Sequence, residues 1–159
     1  MVAIRLQPVP TGNRRPGNAP DASDLEVTCE VDVPHTVDPG EYEVNFVRAE
    51  QKKNFWGRGR IFLHFRIIQP GPALNVVLFM SATLPTSGRF TLSSKFLQQW
   101  CLAAGRRPAR HDRLSTKVFR DKVFLAAVRT VTTGANGEAR SSELQYSVID
   151  RLLEVRAGL

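Results

Sequence analysis

The chain has 159 residues, 42% of them hydrophobic, and a formal net charge of +7 at pH 7. That length accommodates one domain with a core of its own, and that composition excludes wholesale disorder. No apolar run approaches a membrane span, residues 1–20 are too polar for a signal peptide, and Cys29 and Cys101 have neither a metal-type spacing nor a disulfide framework, so a reduced, cytoplasmic protein is expected.

The charge is unevenly spread. Residues 1–47 carry three basic and eight acidic side chains, residues 48–122 carry fifteen and three, and residues 123–159 carry four of each. A polyanion would find its footprint in the middle of the chain; the alternative is a basic face that serves only solubility.

In chain order, residues 1–24 are rich in Pro, Gly, Asn and Arg and read as a flexible N-terminal arm, ahead of a domain over residues 25–156. Leu25–Val33 alternates as a short strand, and Pro39-Gly40 breaks the chain. Tyr42–Gln51 alternates as a first main strand, with Lys52–Gly57 as a connection. Arg58–Ile68 is the clearest strand: Ile61, Leu63, Phe65 and Ile67 share one face, and Arg58, Arg60, Phe62, His64 and Arg66 the other. After the turn Gln69-Pro70-Gly71-Pro72, Leu74–Thr83 reads as a third strand.

The period then changes. Leu92–Ala104 sets Phe96, Leu97, Trp100, Cys101 and Ala104 on one helical stripe, with Thr91 or Ser93 as N-cap and Gly105 just past the end. A basic connection, Arg106–Arg120, leads to a fourth strand at Lys122–Thr132, a turn at Gly134–Gly137, and a fifth strand at Leu144–Val155, for which a helix is the alternative. Three strands, one helix and two strands is the order of a mainly β, five-stranded OB-fold Greek-key barrel with one helix between strands 3 and 4. A small sandwich with an incidental helix shares that order.

Single-stranded nucleic acid requires cations along its phosphates and flat aromatic faces for its bases. Lys52, Lys53, Phe55 and Trp56 in the first connection, and Arg58, Arg60, Phe62, His64 and Arg66 on the second strand, supply both on one expected surface. Phe62 packed under the arm, or Trp56 covering the barrel end, is the competing structural role. A secondary basic path runs through Arg106, Arg107, Arg110, Arg113 and Lys117, interrupted by Asp112 and continuing past Asp121; a merely solvated connection has the same sequence. The Gly134–Ser142 loop, with Arg140 as its cation, is a candidate flap.

Enzymatic signatures are sparse. His35, His64 and His111 have no zinc-type spacing, and there is no Walker loop, nucleophile elbow or His-Glu-x-x-His. Asp38 followed by Glu50-Gln51-Lys52 has the loose spacing of magnesium-dependent nucleases, a pattern that also arises by chance. No cofactor, resident metal, membrane or small-molecule substrate is expected. A protein-interaction module is the third class, and self-association into a homo-oligomer would cover barrel edges.

The runs Phe55-Trp56-Gly57-Arg58-Gly59-Arg60-Ile61-Phe62-Leu63-His64-Phe65-Arg66, Gln99-Trp100-Cys101-Leu102-Ala103-Ala104-Gly105 and Lys117-Val118-Phe119-Arg120-Asp121-Lys122-Val123-Phe124, with the closing Tyr146-Ser147-Val148-Ile149, resemble small single-stranded-DNA-binding proteins of phages, plasmids and integrative elements. The resemblance implies an OB fold and DNA contacts on strand 2, in replication, recombination or transfer of a mobile element. The ending Glu154-Val155-Arg156-Ala157-Gly158-Leu159 departs from the acidic, partner-recruiting tip of the cellular bacterial proteins.

Overall fold

The alternation over residues 58–68 resolves into one strand, β2 (Gly59–Ile67), with Ile61, Leu63, Phe65 and Ile67 buried and Arg60 and Arg66 exposed, in a computed structural model that describes residues 34–54 and 57–158. The expected arm over residues 1–24, the expected strand at Leu25–Val33, and Phe55 and Trp56 lie outside the described residues.

β2 pairs antiparallel with β1 (Gly40–Lys53) on one side and β3 (Val77–Thr83) on the other. β4 (Lys122–Val131) pairs with β1, and β5 (Tyr146–Gly158) with β4, so the sheet order is β3-β2-β1-β4-β5. The protein is mainly β, with five antiparallel strands in one sheet and one helix, α1 (Lys95–Ala104), between β3 and β4. The outer strands β3 and β5 curl toward each other, and α1 packs against both and against a 3-10 turn at Thr116–Phe119. The enclosed core is led by Phe65, Phe119 and Phe124, which meet edge-on or tilted with centroids 6.0–6.1 Å apart.

Several boundaries differ from the sequence expectation for local reasons. β1 runs through Lys52 and Lys53, which are therefore strand residues, and the connection shrinks to Asn54–Arg58, where the Asn54 amide donates to the Arg58 carbonyl at 2.9 Å and the Arg58 amide to the Asn54 side-chain oxygen at 2.8 Å. A bulge between Phe46 and Arg48 also breaks the period-2 pattern of β1. Before it Val44 is buried and Phe46 faces Phe65; after it Arg48, Glu50 and Lys52 lie opposite His64, Phe62 and Arg60. Leu74, expected in the third strand, lies in a turn that Asn75 closes with φ 68°, its amide donating to the Ile67 carbonyl at 2.8 Å.

The helix starts at Lys95. Thr91 and Ser93 bind each other through their hydroxyls at 2.8 Å, so neither caps a helical amide, and Ser94 is the N-cap without a side-chain bond. Gly105 terminates the helix in the left-handed region, φ 68°, as its position suggested. Of the expected stripe, Phe96, Leu97 and Trp100 are buried while Cys101 and Ala104 are half-buried; Gln99 and Ala103 complete the buried face.

Gln99 is buried for a reason that hydrophobic periodicity does not register. β5 is an outer strand, so its far edge has unpaired amides, and the Gln99 carboxamide accepts from the Leu152 amide at 2.6 Å. Residues 35–37 cover the start of the same edge. The Ser147 amide donates to the His35 carbonyl at 3.0 Å, and the buried Ser147 hydroxyl donates to the Val37 carbonyl at 2.9 Å and accepts the Val37 amide at 2.7 Å.

Candidate nucleic-acid interface

The pleat that buries Ile61, Leu63, Phe65 and Ile67 turns Arg60, Phe62, His64 and Arg66 to the opposite face. On that face the register sets Phe79 of β3 across from His64, Ser81 across from Phe62, and Thr83 across from Arg60. Phe62 meets Phe79 edge-on with centroids 5.7 Å apart, and Phe79 in turn stacks on Tyr146 of β5 at 6.3 Å with planes 28° apart. Phe62, Phe79 and Tyr146 form one aromatic row from β2 across the gap between the two outer strands, each ring half-buried.

Cations flank both ends of the row. The Lys52 ammonium lies 5.3 Å from the Phe62 ring centroid, and the Arg140 guanidinium 5.4 Å from that of Tyr146. Arg140 is brought there by an organised β4–β5 connection: Arg140 donates from its side chain to the Thr133 carbonyl at 3.1 Å, its amide donates to the Thr132 carbonyl at 2.7 Å, and Thr133 bridges Ala139. Arg58, Arg60, Arg66 and Lys53 are exposed and make no ion pair among the described residues.

β2 has no acid on this side, but β1 brings one: Glu50 lies opposite Phe62. Arg48 donates to it at 3.0 Å and Lys52 stands 3.7 Å away, and the Arg48 hydrogen bond chiefly holds the Glu50 carboxyl below its usual range. His64 is half-buried with its Nε2 3.8 Å from Glu50, beyond hydrogen-bond reach, and that buried nitrogen has no hydrogen-bond partner among the described residues. Burial, aided by the charge of Arg48, pushes the imidazole pKa down, so His64 is neutral at pH 7.

The second basic cluster divides by role. Asp112 accepts from the Ala109 amide at 2.8 Å and from Arg106 at 2.9 Å, and Arg106 also covers the Trp100 ring at 5.2 Å. Lys122 donates to the Ala103 carbonyl near the helix C-terminus. Arg106, itself exposed, and Lys122 are thus engaged with the scaffold, whereas Arg107, Arg110, Arg113 and Lys117 are exposed and make no ion pair among the described residues.

The nuclease arrangement does not assemble. Asp38 precedes β1 and Glu50 lies near its other end, roughly 30 Å along an extended strand, too far for one ion to share. Among the described residues no three His, Cys, Asp or Glu side chains are grouped to hold a metal. No helix there is long and apolar enough to cross a membrane.

Phe79, Tyr146 and Arg48 are members of this surface that the sequence did not single out, and Arg140, named there only as the cation of a candidate flap, joins them. Phe79 alternates with buried Leu78 and Met80, a signal present in the sequence; Tyr146 carries none, because only the curl of the sheet brings it to Phe79. No family model matches the chain, and no curated protein matches it.

Proposed function

We propose that the protein binds single-stranded DNA without catalysis and largely without sequence preference, across the outer face of β1–β3 and the start of β5. The observation that carries this reading is the aromatic row of Phe62, Phe79 and Tyr146, with Lys52 at one end and Arg140 at the other. Unpaired bases stack on such rings whatever their identity, because every base has a π face. Phosphates follow Arg58, Arg60 and Arg66, which no carboxylate among the described residues neutralises, while Arg48 and Lys52 are partly occupied by Glu50.

The fold supports the same assignment. The order β4-β1-β2-β3 is the spatial order of a Greek key, and β5 brings the fifth strand beside β3 with α1 packed against both. On this reading the sheet is the partly open five-stranded barrel of an OB fold, whose ligands lie on strands 2 and 3 and on the loops after strands 1 and 4. Phe62 on β2, Phe79 on β3 and Arg140 in the β4–β5 connection match that pattern, and Tyr146 at the start of β5 lies just past it. A role in replication, recombination or transfer of a mobile element follows from the sequence resemblance.

The test is a fluorescence-anisotropy titration of labelled oligothymidylate and of a duplex of equal length, each at two salt concentrations. Preference for the single strand that survives moderate salt supports stacking; equal binding that salt erases for both means an electrostatic surface only, and would favour a protein partner for this face.

A further inference from the structure

The aromatic row does not end on a flat surface. Beyond Phe62 the face continues to Arg60, whose partner Thr83 and the neighbouring Ser81 line a cleft of about 560 Å³ between the end of β3 and the first turn of α1. Four cations from four different places in the chain line it: Arg60 of β2, Arg89 of the β3–α1 connection, Lys95 of α1 and Arg129 of β4. One carboxylate answers them. Asp150 accepts from Arg129 at 3.1 Å and lies near Lys95, whereas Arg60, Arg89 and Lys95 make no ion pair among the described residues. The N-cap Ser94 adds a lining hydroxyl with no hydrogen-bond partner among the described residues.

Assembling like charges around a partly enclosed volume costs stability unless a counter-charge enters. Lys95 is half-buried there: burial chiefly pushes its pKa down, Asp150 pulls it up by more than either arginine opposes, and Arg129 and Arg60 add to the lowering. A solubilising basic face would spread its cations outward. Here they converge on one volume, at the point where the base-stacking row stops.

We propose that this cleft holds a backbone phosphate of the bound strand, so that the strand leaves the row at Phe62 and turns between β3 and α1 toward Arg89. This inference rests on the single-strand reading above and adds to it the direction in which the strand continues. Arg89 also lines a second recess with Arg110 and His111, which joins the cleft to the exposed arginines after α1.

The experiment compares wild type with Lys95→Gln/Arg89→Gln, measuring oligothymidylate affinity over a series of salt concentrations and melting temperature without DNA. With about 0.7 in log–log slope for each single-strand phosphate neutralised, the double variant, which releases the one phosphate of the cleft, should show a slope shallower by about 0.7. Its melting temperature at low salt should hold or rise, because it removes the half-buried Lys95 charge, whose burial is unfavourable. The exposed single variant Arg89→Gln, with half the slope change, serves if the double variant fails to fold. An unchanged slope in a folded variant, with binding still weakened by Phe79→Ala, overturns the cleft and leaves the stacking surface standing. Wild type that binds no oligothymidylate overturns both. Inorganic phosphate at matched ionic strength is the second probe: if it raises the wild-type melting temperature as much as the oligonucleotide does, the occupant is free phosphate and the strand assignment is overturned.

Discussion

Phe79 and Tyr146 stack with ring centroids 6.3 Å apart, although one lies in the middle of β3 and the other begins β5, at opposite ends of the sheet order. Their contact joins the two edges on the outer face, while Gln99 and Ser147 secure the β5 edge from the helix and from residues 35–37. The same curl of the sheet that brings β3 and β5 together therefore extends the aromatic row past β3.

Each stacked base is worth about 1–3 kcal/mol by alanine substitution. Phe79→Ala and Tyr146→Ala should each weaken oligothymidylate binding by that amount, and Tyr146→Phe should retain it, as read by anisotropy at fixed salt. Far-ultraviolet circular dichroism confirms that each variant is folded.

Arg66 is exposed, faces outward from β2 and makes no ion pair among the described residues, so its contribution is electrostatic. Arg66→Gln should lower the salt slope of oligothymidylate binding by about 0.7. The loss should be the same for thymidylate and adenylate strands.

Gln99 and Ser147 are 7% and 1% exposed, and their polar atoms bond to backbone. Gln99→Leu strands the Leu152 amide, and Ser147→Ala strands the Val37 amide and carbonyl. Each should cost about 1–3 kcal/mol in urea unfolding.

His64 gives a pH dependence with a defined sign. Its folded pKa lies below the ordinary 6.5, because burial and Arg48 disfavour the imidazolium. The stability tied to neutral His64 is therefore complete above pH 6.5 and is lost as the pH falls through the folded value. Glu50, with its own pKa lowered, stays ionised in that window. Acidification below pH 6.5 should lower the wild-type melting temperature more than that of His64→Gln, measured across a buffer series.

The sequence showed the candidate surface where its geometry is local and missed it where it is not. The face of β2 was legible because Ile61 to Arg66 alternate without interruption, and the C-cap at Gly105 because the left-handed position favours glycine. The bulge at Val47 was invisible, since an extra residue leaves no mark in a period-2 pattern, and it decides that Arg48, Glu50 and Lys52 face His64, Phe62 and Arg60. Lys52 and Lys53 read as loop because lysines are poor strand signals, yet nothing breaks the chain before Asn54. Tyr146 and Arg140 join the row only through the curl of the sheet and the folded β4–β5 connection, which are relationships between distant segments.

The most direct measurement titrates the protein with oligothymidylate and with an abasic strand of the same number of phosphates, at the same salt. Both strands carry the same charge, so only the bases differ. Stacking on Phe62, Phe79 and Tyr146 calls for the abasic strand to bind at least about tenfold more weakly, with the difference reduced in Phe79→Ala. Equal affinity for the two strands would contradict base stacking and leave only a basic surface.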